Sequence, residues 1–485
     1  MNVTPAGPGA VSRTAQEKMR DQPSVLDYIP VAEHPAIRAG TSTTDLSTYV
    51  TRAIAALGVV YFPAGRYNFN IKIADDNCGL VGEAMGVQDL AGVWGRGTVF
   101  WPANYALPMV KLDPMAAGRI INNLTFRDFY AFGFNDGPFL QTNGNSPTRR
   151  SDTVEFTNVF VQRFGHGFDI GGGGLDWRLT NLQVQTCLND GIHIDTANSA
   201  CNGWLWSKCS FMRNGRHGWY GRKTDIATEV SYSHVFVSCG SEYNGTDAAE
   251  PVSRGWYFEN FDQVVMIGCT GENDRVGGDL IDIEFEGTTA RNTRIDTFHS
   301  IGADRAIKFG ATLQHGSVSN VRTLLRFPST TAIEVVSGNN EAGGAEPRIV
   351  IDRPTIRGGN VTVSLGVNGR YDATYADGSG PMDVINLDAG WMTGVDRVID
   401  MRSSLSVLLL AGTAARAYGT TLTNIQPGAE YTIEVHGVEP VVLPAALMAS
   451  GAGYSIQAGK QARLRAGSYP FDVAKLRPVF VSPGI

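Results

Sequence analysis

Short segments in which apolar and polar residues alternate recur along the chain at a nearly constant interval. Each segment follows a glycine or polar turn and carries two apolar residues separated by one other residue, which is typical of a strand buried on one face. The first apolar residues of seven such segments lie 24, 27, 37, 25, 26 and 26 residues apart: Phe168, Ile192, Trp219, Trp256, Ile281, Ile307 and Ile333. The longest interval coincides with a polar insertion at Ser241–Arg254.

A second family of strands precedes the first at a nearly constant offset. Its aligned positions lie 23, 27 and 26 residues apart: Val159, Leu182, Cys209 and Val235. A leucine-rich repeat would show a Leu/Asn consensus with a helical segment, and a propeller blade needs about 40 residues. Two strand families that repeat in phase therefore predict an all-β fold, a right-handed parallel β-helix whose coils stack on one another.

The two ends of the chain differ from the repeats. The segment Asp45–Leu57 has an apolar helical face, with Thr44 or Asp45 as N-cap and Gly58 as stop signal. We expect this helix to cover the open end of the first coil. Alternating segments between glycine and proline turns predict a small C-terminal antiparallel β domain. The expected divisions are 41–108 for the capping helix and first strands, 109–400 for the β-helix body and 401–485 for the C-terminal domain.

Composition and charge narrow the classes of function. The 485 residues include 40 Lys and Arg against 47 Asp and Glu, and this net charge of −7 argues against a nucleic-acid partner. No run of about 18 apolar residues is present, which argues against membrane insertion. The six cysteines form no CxxC pair, and no metal or nucleotide motif occurs. We therefore expect free thiols, no metal and no cofactor.

Three segments carry a resemblance to a known family. They are the N-terminal Val11–Tyr28, the helix Asp45–Leu57 with the following GVVYFPAGRYNF (Gly58–Phe69), and the coils from about Met109 to Val367. Together they resemble bacteriophage tailspikes, polysaccharide depolymerases with a pectate-lyase-like parallel β-helix. The resemblance implies that residues 1–40 connect to a virion-attachment part.

The resemblance also implies partners and a location. A tailspike is a homotrimer that binds, and usually degrades, a bacterial capsular polysaccharide or lipopolysaccharide glycan. Its N-terminus would join a phage tail or baseplate protein, and the 401–485 domain would support trimerisation or bind carbohydrate. Such a protein is made in the host cytoplasm and acts at the cell surface as part of the virion tail.

Side chains alternate along a strand, so the residues between the apolar pairs point to solvent. The first outward position of successive coils is expected to hold Asp169, His193, Tyr220, Tyr257, Asp282 and Lys308. The second is expected to hold Gly171, Asp195, Arg222, Glu259, Glu284 and Gly310. Rings that contact sugars and charged groups that bind hydroxyls suit a glycan groove, although a solvated strand face can also carry such charges.

Glycoside hydrolysis uses two carboxyl groups about 5–9.5 Å apart. Crowded carboxylates raise one another's pKa, which would keep one protonated as the general acid. We therefore predict Glu259, Asp282 and Glu284 as the catalytic set. The predicted substrate-binding residues are Asp195, His193, Tyr220, Arg222 and Tyr257. Two other functions remain open, namely a polysaccharide lyase acting by β-elimination and an adhesin that binds its glycan without cleaving it.

Overall fold

The computed structural model describes residues 23–335 apart from short gaps. Outside this range it describes individual strands, but not the segments between them. The gaps are residues 86–96, 114–119, 143–149, 197–200, 225–230, 247–251, 274–278, 288–289, 311–312, 315 and 325–330. The chain divides into two compact units: Met1–Gly215 with Ala227–Glu229, and Arg216–Ile226 with Val230–Ile485. Each unit has its own set of coils.

Short helices precede the first coil. They are the 3₁₀ helices Val25–Asp27 and Val31–Glu33 and the α-helices His34–Arg38 and Ser47–Leu57. The predicted N-cap of the last helix is wrong: Leu46, not Thr44 or Asp45, is the N-cap, although the Asp45 carboxylate accepts the backbone N–H of Ser47 at 2.9 Å. Gly58, with a φ of 70°, ends the helix as predicted. Val50, Ala53 and Ile54 are buried on its apolar face. No helix among the described residues is long and apolar enough to span a membrane.

The first unit is built mainly from two sets of parallel strands. One set stacks in the order Ile71–Ile73, Val110–Leu112, Leu140–Thr142, Phe168–Ile170 and Ile192–Thr196. The other set comprises Val59–Phe62, Gly65–Asn68, Gly79–Gly82, Thr98–Trp101, Ile120–Phe132, Arg150–Gln162, Arg178–Gln185, Leu205–Ser207 and Ser210–Met212. Two short strands, Gly174–Leu175 and Cys201–Asn202, form a further parallel pair.

A left-handed backbone residue recurs at one turn of the first unit. Asp128, Asn158 and Asn181 have φ angles of 62°, 54° and 51°. Asn181 donates its side-chain amide to the Asn158 side-chain oxygen at 2.9 Å, and Asn158 donates to the Asp128 carboxylate at 2.9 Å. Asparagine and aspartate tolerate this conformation better than other non-glycine residues. The resulting hydrogen bonds link successive coils at the turn.

The second unit repeats the same construction. Its first set stacks as Trp219–Lys223, Val252–Glu259, Asp279–Glu286, Arg305–Phe309, Thr331–Val335, Asn360–Val363, Asp383–Asn386, Ser406–Ala411 and Glu430–Gly437. A second set comprises Val235–Val237, Gly240–Glu242, Val265–Ile267, Thr270–Glu272, Arg294–Asp296, His299–Ile301, Gly316–Ser319, Arg322–Leu324, Arg348–Asp352, Thr355–Arg357 and Arg370–Thr374. Ser231–Tyr232 pairs with Phe261–Asp262, and Ala290–Arg291 with Leu313–Gln314.

Parallel pairing extends beyond residue 400. Both Ser406–Ala411 and Glu430–Gly437 continue the parallel stack, and Arg397–Asp400, Tyr418–Thr423 and Val441–Leu443 form another parallel set. Antiparallel pairs then follow, between Val441–Leu443 and Tyr454–Ile456, and from Glu430–Gly437 through Lys460–Ala466 to Leu476–Ser482. The division of the chain into domains at residues 40, 108 and 400 stays a prediction.

Apolar side chains of successive coils stack in the interior. In the second unit the rings of Phe258, Phe285 and Phe309 form a column, with centroids 4.9 and 5.2 Å apart and nearly parallel planes. In the first unit Trp177 stacks on Trp204 at 4.3 Å. Such stacks buried along a solenoid are the main source of its stability. The predicted fold class is confirmed: the chain is a right-handed parallel β-helix.

Candidate functional site

The pairing of neighbouring strands corrects the predicted alignment of one coil. Trp256 lies opposite Ile283, not opposite Ile281, and Ile283 lies opposite Ile307. The steps are therefore 27 and 24 residues instead of the predicted 25 and 26. Ile281 and Ile283 are both buried, so the apolar pattern alone matched either of them to Trp256. This shift of two residues places Glu284, instead of the predicted Asp282, in the row between Tyr257 and Lys308.

The corrected register places ten charged or aromatic residues on the outward side of one strand stack, and we call them the strip. Tyr220, Tyr257, Glu284, Lys308 and Glu334 are successive strand partners. A parallel row contains Arg222, Glu259 and Glu286. Two arginines from the starts of their strands complete the strip: Arg254 and Arg305.

The aromatic side chains of the strip stack along the coils. Tyr220 and Tyr257 have ring centroids 5.0 Å apart with planes 11° from parallel, and His217 lies 5.5 Å from the Tyr220 ring. The Arg254 guanidinium lies 4.7 Å from the centroid of the Tyr257 ring. Because Arg254 bonds to Glu284 of the next strand, it covers the Tyr257 face opposite Tyr220. Both faces of the Tyr257 ring are therefore covered, by Tyr220 and by Arg254.

The carboxylate of Glu284 contacts two cations next to the tyrosine rings. Glu284 accepts hydrogen bonds from Arg254 Nε and, at 2.5 Å, from Lys308 Nζ. Lys308 also donates to Glu286 at 2.9 Å. The side chain of Glu284 is 0% exposed, whereas Arg254 and Lys308 keep about a fifth of their surface exposed. The predicted catalytic residue Glu284 therefore lies beneath Arg254 and Lys308, away from solvent.

The protonation state of Glu284 follows from these contacts. Burial by itself would raise the pKa of Glu284, but the charge of Arg254 and the hydrogen bonds from Lys308 and Arg254 outweigh it and lower the pKa below its usual value. Burial likewise opposes the charge of Lys308, yet its bonds to Glu284 and Glu286 raise the pKa of Lys308. Glu284 is thus an ionised carboxylate, which does not suit a general acid.

Glu259 is the predicted catalytic residue that lies at the surface of the strip. Its side chain is 26% exposed, and its Oε2 atom lies 3.7 Å from Arg222 Nε. The Tyr257 hydroxyl donates to the same oxygen at 3.0 Å. Burial, and then the negative charge of Glu259, raise the pKa of Tyr257 well above its usual value. Tyr257 therefore remains a protonated donor to Glu259.

The predicted outward position of Asp282 is wrong. Its side chain is fully buried in the coil interior, although the adjacent Ile283 is buried as well, so the strict alternation of inward and outward side chains fails at this point of the strand. Asn273 donates to its Oδ1 atom and Ser300 to its Oδ2 atom, each at 2.5 Å. Gly271 leaves the space for this carboxyl group, since a Cβ atom there would lie 2.3 Å from Asp282 Cγ. Asp282 therefore has no access to a polysaccharide at the surface.

Burial dominates the ionisation of Asp282. It raises the pKa of Asp282 from 3.8 to about 7, although the hydrogen bonds from Ser300 and Asn273 act in the opposite direction. The crowding of carboxyl groups in the sequence predicted a raised pKa for one member of the acidic set. A carboxyl group with a raised pKa is present, but it lies in the core. Burial, rather than neighbouring carboxylates, raises its pKa.

His193 and Asp195 belong to the first unit. Both occupy outward, half-buried positions of Ile192–Thr196, as predicted for strand alternation. His193 Nδ1 lies 3.1 Å from the Asp169 carboxylate, and the Gln141 amide donates to the other Asp169 oxygen at 2.9 Å. Burial alone would raise the pKa of Asp169, but these two hydrogen bonds lower it. Because an ionised carboxylate only accepts hydrogen bonds, Nδ1 of His193 carries the proton.

Five residues at or beside the strip were not predicted from the sequence: His217, Arg254, Glu286, Arg305 and Glu334. Glu286, 29% exposed, is the strand partner of Glu259, and a correct register would have found it. Arg254 was placed at the end of the polar insertion, but it belongs to the strand Val252–Glu259. His217 is 5% exposed and packs against the tyrosine rings. Among the described residues, no group of three or more His, Cys, Asp or Glu side chains is arranged to hold a metal ion.

Comparison with known proteins gives similar structures only. No family model and no curated protein matches the chain. It is similar to ORF18 of Geobacillus virus E2, with 12% identity, 99% of this chain and 82% of that chain covered, and a TM-score of 0.49. A second similar structure is a mutant tailspike protein of E. coli bacteriophage HK620 in complex with a hexasaccharide, at 11% identity, with 91% and 82% covered and a TM-score of 0.40.

An enzyme that modifies a polysaccharide is also among the similar structures. The chain matches the A-module of Azotobacter vinelandii mannuronan C-5 epimerase AlgE4 at 15% identity, with 73% of this chain and 99% of that chain covered and a TM-score of 0.44. A phage tailspike is thus among the solved structures that this chain resembles. We base the function proposed below on the residues of the strip.

Proposed function

We propose that the chain binds a polysaccharide along the strip and hydrolyses its glycosidic bonds with Glu259 and Glu286. The observation that carries this proposal is their pairing: the two residues are strand partners, and 26% and 29% of their side chains are exposed. Neighbouring strands lie about 4.8 Å apart. Carboxyl groups on such neighbours can reach the separation of about 5–9.5 Å that glycosidases use.

The contacts of the two carboxyl groups support different roles. Lys308 donates an ammonium hydrogen bond to Glu286 at 2.9 Å, which suits a carboxylate acting as base or nucleophile. Glu259 lies farther from its cation, 3.7 Å from Arg222. We assign it the role of proton donor, for which this carboxylate, ionised in the free chain, takes up a proton once the bound glycan shields it from water. Tyr220, Tyr257 and Arg222 would then bind sugar hydroxyls beside the cleaved bond. Glu284 is a positioning residue that holds Arg254 and Lys308.

The resemblance to tailspikes extends this proposal to the biology of the chain. We propose a bacterial capsular polysaccharide or lipopolysaccharide glycan as the substrate and the virion tail as the location. A homotrimer and attachment to a tail or baseplate protein through the N-terminus stay predictions. The same holds for substrate binding by His193 and Asp195 in the first unit, and for trimerisation or sugar binding by residues 401–485.

Single amide substitutions test the carboxylate pair. We expect Glu259→Gln and Glu286→Gln each to slow depolymerisation by about a hundredfold or more, because general acid–base groups contribute at least that factor. The measurement is the rate of reducing-end release from a panel of purified capsular and O-antigen polysaccharides, using the full chain.

A matched substitution controls for the loss of one charge. Glu155→Gln removes an exposed carboxylate that is not a member of the strip, from the strand Arg150–Gln162 of the first unit, and should leave the rate unchanged. Wild-type rates in Glu259→Gln and Glu286→Gln would contradict the assignment. Binding without cleavage by the wild type would favour the adhesin function, and unsaturated products would favour the lyase.

A further inference from the structure

The charges of the strip are balanced within the strip. Its four cations are Arg222, Arg254, Arg305 and Lys308, and its four carboxylates are Glu259, Glu284, Glu286 and Glu334. Lys308 contacts two carboxylates at 2.5 and 2.9 Å, Arg305 contacts Glu334 at 3.1 Å, and Arg222 contacts Glu259 at 3.7 Å. Arg254 bonds to the buried Glu284. Each strip cation therefore has a carboxylate of the protein beside it.

Such a surface is unfavourable for an acidic sugar. A uronate or sialate carboxylate would have to compete with the protein's own carboxylates for these cations, and four like charges on the strip would oppose its approach. The carboxylate that bonds to both Arg254 and Lys308 is also the least accessible one of the strip, because Glu284 is 0% exposed. Displacing the two cations from Glu284 would leave a buried carboxylate without its partners, which is strongly unfavourable.

Neutral sugar hydroxyls fit the same surface without breaking these pairs. The Tyr257 hydroxyl, the exposed edges of the ring column and the partly exposed carboxylates of Glu259 and Glu286 supply donors and acceptors to uncharged groups. We propose that the strip takes an uncharged segment of a polysaccharide, built of neutral sugars at the cleaved linkage. This inference rests on the proposed function and specifies its substrate class.

A neutral substrate also favours hydrolysis over β-elimination. β-Elimination requires a sugar carboxylate that acidifies the neighbouring C–H bond, and the protein must neutralise that carboxylate with a cation. A neutral sugar offers no such group, whereas hydrolysis requires only the glycosidic bond and water. The charge balance of the strip and the Glu259/Glu286 pair therefore lead to the same reaction class.

Binding measurements on chemically matched glycans test the substrate class. The probes are purified neutral and uronate-containing bacterial polysaccharides, each acidic member being used also in its carboxyl-reduced form. We expect the tightest binder of the full chain to be neutral. Its Kd should change less than about twofold between about 50 and 500 mM NaCl, because no net charge is screened. Carboxyl reduction should strengthen the binding of acidic members.

Variants that change the charge of the protein give a second test of the substrate class. Glu334→Gln gives the strip one net positive charge, and we expect salt-sensitive binding of acidic polysaccharides to appear in this variant and not in Glu155→Gln. An acidic polysaccharide as the tightest wild-type ligand, with an affinity that falls tenfold or more across the same salt range, would overturn the neutral class and leave the depolymerase proposal standing. Absence of binding to every polysaccharide would instead refute the proposed function itself.

Discussion

Replacing Glu284 with glutamine is expected to destabilise the second unit by about 3 kcal/mol or more, because removing one partner of a buried ion pair leaves the others without compensation. Arg254 and Lys308 both bond to this carboxylate, and both are only about one-fifth exposed. The variant keeps the size of the side chain, so the loss reports charge rather than packing. Urea or thermal unfolding of the full chain measures it.

Glu334→Gln is the matched control for this substitution. Glu334 lies in the same row of strand partners, two coils from Glu284, and its side chain is 26% exposed beside Arg305. Exposed ion pairs contribute about 0–1 kcal/mol, so we expect little change. Equal stabilities of the two variants would show that Glu284 does not hold the network together.

The pH dependence of Glu284 has a defined sign. Its pKa is lower in the folded chain than its usual 4.5, so its ion pairs contribute stability above pH 4.5 and lose it as the pH falls through the folded value. The difference in stability between the wild type and Glu284→Gln should therefore shrink in acid.

Asp282 is expected to produce the opposite pH dependence. Its folded pKa of about 7 exceeds the unfolded value of 3.8, so the folded chain binds the extra proton between these limits and loses stability as the pH rises through them. A difference of about 3 pKa units corresponds to a loss of about 4 kcal/mol by pH 8. Asp282→Asn has no proton to lose and should become the more stable protein above pH 7.

Thermal unfolding from pH 5 to pH 9 measures this effect. Ser300→Ala is the control, because it removes one hydrogen bond to Asp282 at 2.5 Å but keeps the ionisable group. We expect Ser300→Ala to retain the pH slope attributed to Asp282 and Asp282→Asn to lose it. A slope that persists unchanged in Asp282→Asn would show that another group causes it.

The coil repeat could be predicted from the sequence because each coil uses one apolar pair. Tyr220 and Tyr257, and likewise Arg222 and Glu259, are strand partners as the predicted spacing requires. The alignment failed in the strand Asp279–Glu286, where Ile281, Ile283 and Phe285 are all buried. Three alternating apolar residues fit two registers, and a shift of two keeps the same strand face toward the core. Only hydrogen-bonded pairing distinguishes these registers.

The electrostatics of the site depended on details that the sequence does not contain. Alternation predicts that Glu284 points away from the core, and it does, but its burial comes from Arg254 and Lys308 of neighbouring strands. Asp282 has the acid-like pKa expected of a catalytic carboxyl group, yet it faces Asn273 and Ser300 in the interior. Side-chain type therefore predicted a site on this strand stack, while the role of each carboxylate required coordinates.

The most direct test of the account is the mass of the products formed in H₂¹⁸O. Purified polysaccharides are incubated with the full chain, and the fragments are analysed by mass spectrometry before the label can exchange. Hydrolysis at Glu259 and Glu286 predicts one ¹⁸O atom at each new reducing end and no unsaturated sugar. Unlabelled fragments that carry an unsaturated terminal sugar, or polysaccharides that remain intact, would contradict it.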